Sequence, residues 1–355
     1  MKELVTKQNG NRISAEIRDG FALLDLARGW LKQGNPIVAI ELLKAATGSP
    51  QAEQHPELRA QISKETGRAM MMQSDWESAE PYYLGAERLF LQLADFRGAA
   101  ECARNRANMY FQRGLYQQSE ELCQQALEWI ATLNDHELRA TVLNTLGAIK
   151  SATGELRESI KTFRLCLADF EAAGNAVRQG YVLLNIGLSQ TELGEYVEAV
   201  QTLSESLAIA MHEQDLHLVE ICYQNISKCH LAQKETILAR SVLETARKIL
   251  PGLNSKALET ELCLLECKIQ RVTGDVEGAE EALKATYRTA VENKLAALQA
   301  DVLYEQGLLY KDMGNQDMAV CKLDAAANQY RELGIDRGFQ DAVQALGQLK
   351  GNPHA

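Results

Sequence analysis

Turn-forming residues recur along this chain at a fixed interval of forty positions. Each lies between two stretches whose apolar residues follow the helical period of three and four. The positions are Gly34, Ser74, Gly114, Gly154, Gly194, Lys234, Gly274 and Gly314. Glycine suits a tight turn between helices because, without a Cβ atom, it adopts positive φ easily. The spacing therefore predicts eight helical hairpins with turns near these residues.

Small residues also recur at fixed distances from each turn. Gly147 stands seven residues before the turn at Gly154, while Ser159 and Cys166 stand five and twelve residues after it. A larger apolar residue, here Phe163, stands nine residues after it. Small positions in both helices indicate that the two backbones approach closely. One hairpin cannot bury these surfaces alone, so neighbouring hairpins must stack.

The spacing of Gly147, Ser159, Phe163 and Cys166 resembles that of the tetratricopeptide repeat, over about residues 13–333. Forty-residue units exceed the family's common length of about 34 residues and imply helices of about 18 residues. They are similar to the long repeats of Pins-type polarity adaptors, kinesin light chains and bacterial peptide-sensing regulators. The resemblance implies an all-α fold, a right-handed superhelical solenoid of eight antiparallel helix hairpins. It also implies that the first helix of each hairpin lines a concave groove.

Both ends of the chain differ from the repeats. Residues 1–12 are polar and predict a flexible tail, and residues 334–355 predict a helix and a tail after the eight repeats. Phe339 to Leu349 reads as one amphipathic helix that caps the last repeat, although a partner-binding helix is an alternative. Pro81 falls within the second helix of repeat 2 and predicts a kink or a delayed helix start there.

The formal charge of -11 opposes nucleic-acid binding, which needs a basic surface. Residues 1–120 carry 15 basic and 15 acidic side chains, so the whole acidic excess lies in residues 121–355. No apolar stretch approaches the roughly 18 residues of a membrane-spanning helix, and Met1 to Arg12 lacks a signal-peptide pattern. We therefore expect a cytoplasmic protein, without membrane insertion, whose eight cysteines are reduced thiols.

Positions thirteen, ten, six and three before each turn lie on one stripe of the first helix, because their spacing follows the helical period. In repeats 1 to 3 this stripe is basic and partly apolar, and it predicts a site for an acidic peptide or a C-terminal carboxylate. Its candidate residues are Arg28, Lys64, Arg68, Arg104, Asn108 and Phe111. The pattern is similar to the carboxylate clamp of co-chaperone tetratricopeptide domains, although Leu24 and Arg68 depart from it. The alternative is a solvated stripe paired with Glu65 and Glu101.

Amide side chains form a second candidate series. Asn105, Asn185 and Asn225 stand nine residues before a turn, and Asn144 stands close to that register. An amide both donates and accepts hydrogen bonds, so such a series can hold the backbone of an extended peptide. The alternative is that these residues tie adjacent helices together. Tyr181 in repeat 5 and Lys228 in repeat 6 extend the candidate groove.

Motifs for catalysis are missing from the sequence. No phosphate-binding loop, dinucleotide fingerprint or nucleophile with a neighbouring base is recognisable, so we expect no enzyme and no cofactor. Cys263 and Cys267 occupy packing positions, which favours a structural role over a metal site. The sequence thus predicts a scaffold or adaptor that binds a protein or peptide. A peptide- or metabolite-sensing regulatory module is the alternative, and self-association is a third hypothesis.

Overall fold

The computed structural model describes residues 19–249, 255–349 and 351. This part of the chain is all-helical, with eighteen helices and no strand. It confirms the predicted all-α class of antiparallel helical hairpins. The predicted tail over residues 1–12, the first residues of repeat 1 and the end of the chain after Gly351 lie outside the described residues.

The chain divides into two compact units, residues 1–189 and 190–355. The helices of the first unit are α1 (Gly20–Lys32), α2 (Pro36–Thr47), α3 (Pro50–Gln54), α4 (Pro56–Met72), α5 (Trp76–Gln92), α6 (Phe96–Gln112), α7 (Tyr116–Ile130), α8 (His136–Ala152) and α9 (Leu156–Ala172). Helix α10 (Ala176–Glu192) includes the boundary. The second unit continues with α11 (Tyr196–His212), α12 (Leu216–Ala232), α13 (Thr236–Ile249), α14 (Lys256–Thr273), α15 (Val276–Glu292), α16 (Ala296–Asp312), α17 (Gln316–Glu332) and α18 (Asp336–Leu349).

Every residue at the eight forty-residue steps has a positive φ, including Ser74 at 59° and Lys234 at 63°. The left-handed conformation therefore occurs at these turns even where the residue is not glycine. It recurs twenty residues after five of them, at Ala94, Gly174, Gln214, Lys294 and Gly334. The connections between hairpins thus repeat the conformation found within hairpins. The resulting interval of twenty residues explains why most of the helices have 17 residues.

The residue after a left-handed turn commonly caps the next helix. The side chains of Asp75, Asp95 and Asp275 each accept a hydrogen bond from the backbone N–H three residues further on. A side-chain oxygen at this position satisfies a donor that the first helical turn leaves without a partner. At these three helices the turn residue and the acidic cap together fix where the helix begins, whereas the helices that begin at Tyr116, Leu156, Tyr196 and Ala296 have no side-chain cap.

The predicted close approach of helices is present in both units. A Cβ atom added to Gly147 in α8 would lie 2.6 Å from the Phe163 ring of α9, and one added to Gly307 in α16 would lie 2.6 Å from Leu323 of α17. No larger side chain fits at either glycine without a shift of its neighbour. The repeated spacing of small and large residues along the chain therefore sets the packing within the hairpins.

Two local features differ from the sequence prediction. The polar break after repeat 1 contains the short helix α3, which begins at Pro50. Helix α5 begins at Trp76 and continues through Pro81, so the predicted delay of the helix start is wrong. A proline in the second turn of the helix removes one hydrogen bond, and the remaining apolar contacts of α5 maintain the helix.

Helix α18 packs against α17 and α16. Ala342, Ala345 and Gly347 are its buried residues, and the Arg331 guanidinium of α17 lies 4.8 Å from the Phe339 ring centroid. The amphipathic face read from the sequence therefore covers the last hairpin of the second unit.

Candidate functional site

The first unit contains a cavity of ≈ 610 Å³, here called the basic cavity, lined by side chains of α4, α5, α6 and α10. Its lining residues are Lys64, Glu65, Arg68, Met71, Met72, Tyr83, Glu101, Arg104, Asn105, Asn108, Gln112 and Arg178. Four of them are cationic and two are acidic. Candidates from repeats 2 and 3 thus meet in one place, together with Arg178 from repeat 5.

Two of the four cations already have acidic partners. The Lys64 amine forms an ion pair with Glu101 and lies 5.8 Å from the centroid of the Phe90 ring. Arg68 approaches the buried Glu65 carboxylate with an N–O distance of 3.6 Å. These pairs correspond to the alternative interpretation of the basic stripe, in which its charges are neutralised within the protein.

Arg104 and Arg178 differ from Lys64 and Arg68 because neither forms an ion pair among the described residues. The Nε atom of Arg104 is buried and has no hydrogen-bond partner within the described part of the chain. Burial lowers the pKa of the Arg104 guanidinium. Tyr83 and Glu101 oppose this shift, while the positive charges of Arg178 and Arg68 add to it. The group nevertheless stays protonated, because an arginine does not lose its proton in proteins. Arg178 is exposed, and no acidic partner for its guanidinium is found in the described residues.

A second cavity of ≈ 340 Å³, here called the amide cavity, adjoins the first. It shares Arg104, Asn108 and Arg178 with the basic cavity, so the two form one groove. The other lining residues are Thr141, Asn144, Thr145, Phe170, Tyr181, Val182 and Asn185. Asn185 Nδ2 lies 3.4 Å from Asn144 Oδ1, a long hydrogen bond that leaves most of the bonding capacity of both amides for other groups.

Four candidates from the sequence lie outside this groove. Arg28 bonds to Glu65 at 3.2 Å and to Gln61 at 3.0 Å, so it links α1 to α4. Phe111 packs beside Tyr116, with ring centroids 5.8 Å apart, against the core of α6 and α7. Asn225 donates to the Ile221 carbonyl of its own helix at 2.8 Å. Lys228 belongs to the second unit and lines a different pocket.

Sequence reasoning missed Arg178. This residue stands sixteen positions before the turn at Gly194, one helical step beyond the stripe that was read for candidates. Extending the stripe by that step would have found the residue. The closeness of Arg178 to repeat 2 does not follow from the sequence of any single repeat. It depends on how successive repeats of the first unit stack, which brings repeats 2 and 5 to one cavity.

Neither cysteine nor histidine is among the lining residues of the groove. Burial raises the pKa of the Cys222 and Cys267 thiols in the second unit to about 11, so these cysteines are protonated at neutral pH. Within the described residues, no group of three or more His, Cys, Asp or Glu side chains is placed to hold a metal ion. A search of the same residues finds no helix that is both long and apolar enough to span a membrane.

The fold and the groove define a helical-repeat protein with a polar groove in its first unit. The tetratricopeptide repeat model matches residues 98–172, which confirms the family resemblance seen in the spacing. The 43 kDa receptor-associated protein of the synapse from Tetronarce californica is 24% identical over 246 residues, 66% of this chain and 57% of that protein. The chain therefore spans a little over half the length of this relative.

Two solved structures show the same fold at low identity. Aspartyl phosphate phosphatase F from Bacillus subtilis is similar with a TM-score of 0.64 and 16% identity, over 87% of this chain and 79% of that one. A Rap protein complexed with Competence and Sporulation Factor has a TM-score of 0.59 and 14% identity, over 95% and 98% of the two chains. At these identities the likeness concerns the fold alone.

Proposed function

We propose that this chain is a protein-interaction scaffold or adaptor whose first unit binds an acidic segment of a partner protein. The observation that carries the proposal is the pair Arg104 and Arg178, whose guanidinium groups line a basic cavity and form no ion pair among the described residues. A buried guanidinium nitrogen without a hydrogen bond is costly. A carboxylate entering the cavity would bond to the guanidinium groups that line it and would reduce the repulsion between the two arginines.

The adjoining amide cavity supports binding of a chain segment rather than of an isolated anion. Asn108 borders both cavities, and Asn144 and Asn185 lie further along the groove. Amides can bond to the N–H and C=O groups of an extended backbone whatever its side chains are. We infer that one acidic side chain or a C-terminal carboxylate occupies the basic cavity while the neighbouring backbone lies along the amides.

The test begins with affinity purification of partners on the intact chain and on the double variant Arg104→Gln with Arg178→Gln. The matched control is Arg88→Gln with Arg164→Gln, which removes the same charge from exposed arginines of the same unit that line neither cavity. Synthetic peptides covering each captured partner, with acidic residues and with Gln or Asn in their place, then locate the bound segment.

We expect the groove variant to weaken binding of the acidic peptides by about 30-fold or more, because each lost charge-assisted hydrogen bond contributes about 1.5 to 3 kcal/mol. The control should bind within about twofold of the intact chain. Retention of every partner and peptide by the groove variant would remove the basic cavity from the proposal. Thermal melting checks the fold, and Arg104→Gln should not lower the Tm because it removes a desolvated charge.

The alternative is a peptide- or metabolite-sensing regulatory module. It is favoured by the likeness to the Rap protein complexed with Competence and Sporulation Factor, which extends over 95% of this chain. A sensor requires that the ligand changes helices outside the groove. Hydrogen exchange with and without the bound peptide separates the two functions, since an adaptor should show protection confined to the groove helices.

A further inference from the structure

The second unit contains a smaller pocket that does not belong to the proposed groove. It has a volume of ≈ 160 Å³ and is lined by residues of α12, α14 and α16, the first helices of three successive hairpins. Lys228 and Lys268 stand six residues before their turns, and Glu261 and Asp301 stand thirteen before theirs. Seven residues of helix span about 10 Å between backbone positions, and the long lysine side chains lean back towards the N-termini of their helices. The amines therefore approach the carboxylates across one small pocket.

The carboxylates are held in place by neutral donors. Gln224 Nε2 donates to Glu261, and the Tyr330 hydroxyl donates to Asp301 Oδ1 at 2.7 Å. Each carboxylate therefore has a fixed orientation and retains acceptor capacity, because a carboxylate can accept about four hydrogen bonds. Their negative charge is not cancelled by these neutral neighbours.

The two amines have no such partners. Neither Lys228 nor Lys268 forms an ion pair or a hydrogen bond within residues 19–249, 255–349 and 351. The Lys228 side chain reaches solvent at the mouth of the pocket, but much of it is surrounded by protein. The resulting desolvation lowers the pKa of its amine. The nearby charge of Lys268 acts in the same direction, while Glu261, Asp301 and Glu220 oppose it. A bound anion between the amines would relieve both the desolvation and the repulsion.

The wall of the pocket beside the charged groups is apolar. Leu264, Leu265 and Leu298 line the pocket and are buried beneath it. The pocket thus combines two amines, two carboxylates and an aliphatic wall, and its charges balance. An acidic ligand would meet Glu261 and Asp301, and a basic ligand would meet the lysines. A ligand with both charges and an apolar body is complementary to all three parts.

We propose that this pocket binds a free zwitterionic α-amino acid with an aliphatic side chain, such as leucine. The ligand carboxylate contacts Lys228 and Lys268, the ligand amine contacts Glu261 or Asp301, and the side chain rests on the leucines. The volume of ≈ 160 Å³ admits a molecule of this size. The site lies in the second unit and does not depend on the proposed peptide groove.

Isothermal titration calorimetry of the full chain tests the proposal with four ligands. Leucine carries every feature, isocaproate lacks the amine, isoamylamine lacks the carboxylate, and alanine lacks the aliphatic body. We expect leucine to bind with a Kd of about 0.01 to 1 mM, as a ligand of so few atoms allows. Each of the other ligands should bind at least about tenfold more weakly.

Single variants assign the contacts. Lys228→Gln and Lys268→Gln should each weaken leucine binding by about tenfold, and the exposed Lys248→Gln serves as the control with unchanged binding. Lys268→Arg retains the charge and should bind leucine within a few-fold of the intact chain. Isocaproate binding as tightly as leucine, no saturable heat with leucine at about 10 mM, or unaltered leucine binding by Lys228→Gln would each overturn the proposal.

Discussion

The two units of the chain share one helical register but place different chemistry on it. In the first unit the first helices collect Lys64, Arg68, Arg104 and Arg178 around one cavity. In the second unit the corresponding helices alternate lysines with acids around a smaller and electrically balanced pocket. The repeated packing positions therefore determine the fold, whereas the positions between them are free to differ. Binding specificity is expected to vary along such a chain without any change of backbone.

Buried ion pairs connect successive hairpins in both units. A buried glutamate stands nine residues before the turn in repeat 2 and in repeat 8, as Glu65 and Glu305. Glu65 is approached by Arg28 at 3.2 Å and by Arg68 at 3.6 Å. Arg271 contacts Glu305 at 2.5 Å and also reaches Asp312 at 2.6 Å. The first unit thus has two cations near its glutamate, and the second unit has one.

The largest expected effect follows from this difference. Arg271→Met should lower the free energy of unfolding of the second unit by about 3 to 5 kcal/mol, because it leaves Glu305 buried without its cation. Arg28→Met should cost clearly less, since Arg68 remains near Glu65. Chemical denaturation with hydrogen exchange resolved by helix measures both losses in their own units.

The double variant Arg271→Met with Glu305→Leu is the control for this prediction. It replaces the buried pair with apolar side chains and should recover most of the lost stability. A double variant as unstable as Arg271→Met would show that the arginine acts through packing or through Asp312 rather than through Glu305. Equal losses in the free energy of unfolding for Arg271→Met and Arg28→Met would show that the second cation near Glu65 does not protect the first unit.

A second contrast lies fourteen residues before each turn, where the side chain is buried. The residues there are Gly20, Ala60, Ala100, Ala140, Gly180, Glu220, Thr260 and Ala300. Glu220 is fully buried, and neither of its carboxylate oxygens has a hydrogen-bond partner among the described residues. Burial raises the pKa of Glu220 to about 7, and the nearby charge of Glu261 adds to the effect.

This carboxyl group should make the second unit less stable as the pH rises. Glu220 ionises near pH 4.5 in the unfolded chain but only near pH 7 in the folded one. The folded state therefore holds the extra proton between these values, and stability falls across that interval by about 2 to 3 kcal/mol. Glu220→Ala should remove this loss, so the variant gains most above pH 7 and little below pH 4.5.

Measurements of unfolding at about pH 4, 6 and 8 check this prediction against Glu244→Ala, an exposed glutamate of the same unit. Glu220→Gln should also abolish the pH dependence, because it removes the titrating group and keeps the side-chain size. The same gain for Glu220→Ala at every pH would show that the cost is steric rather than electrostatic.

The residues that sequence analysis placed correctly are those that obey the repeat. The turns, the small residues and the hairpin packing follow from local spacing, because every hairpin solves the same packing problem. Arg178 was missed because the curvature of the first unit brings it to Lys64 and Arg68. Phe111 and Asn225 lie outside the groove because helical spacing identifies a stripe but not which of its members the neighbouring helices bury.

The asparagines provide the last comparison between the units. Asn185 in the first unit is half-buried, lines the amide cavity and makes only a long bond to Asn144. Asn225 occupies the same register in the second unit, but it is buried and bonds to its own helix at 2.8 Å. One sequence pattern therefore places one amide towards a cavity and turns the other back to the backbone.

If the amide cavity holds a peptide backbone, Asn185→Ala should weaken binding of the acidic peptide by about 3- to 10-fold, the effect of one hydrogen bond. Asn225→Ala should leave the affinity unchanged, and fluorescence polarisation with a labelled peptide measures both. Melting curves distinguish peptide binding from the alternative role of these amides, which is to hold adjacent helices together. A lowered Tm with unchanged affinity for Asn185→Ala would assign Asn144 and Asn185 to that structural role. The peptide backbone would then need other hydrogen-bond donors, and Asn108 and Arg178 line the same cavity.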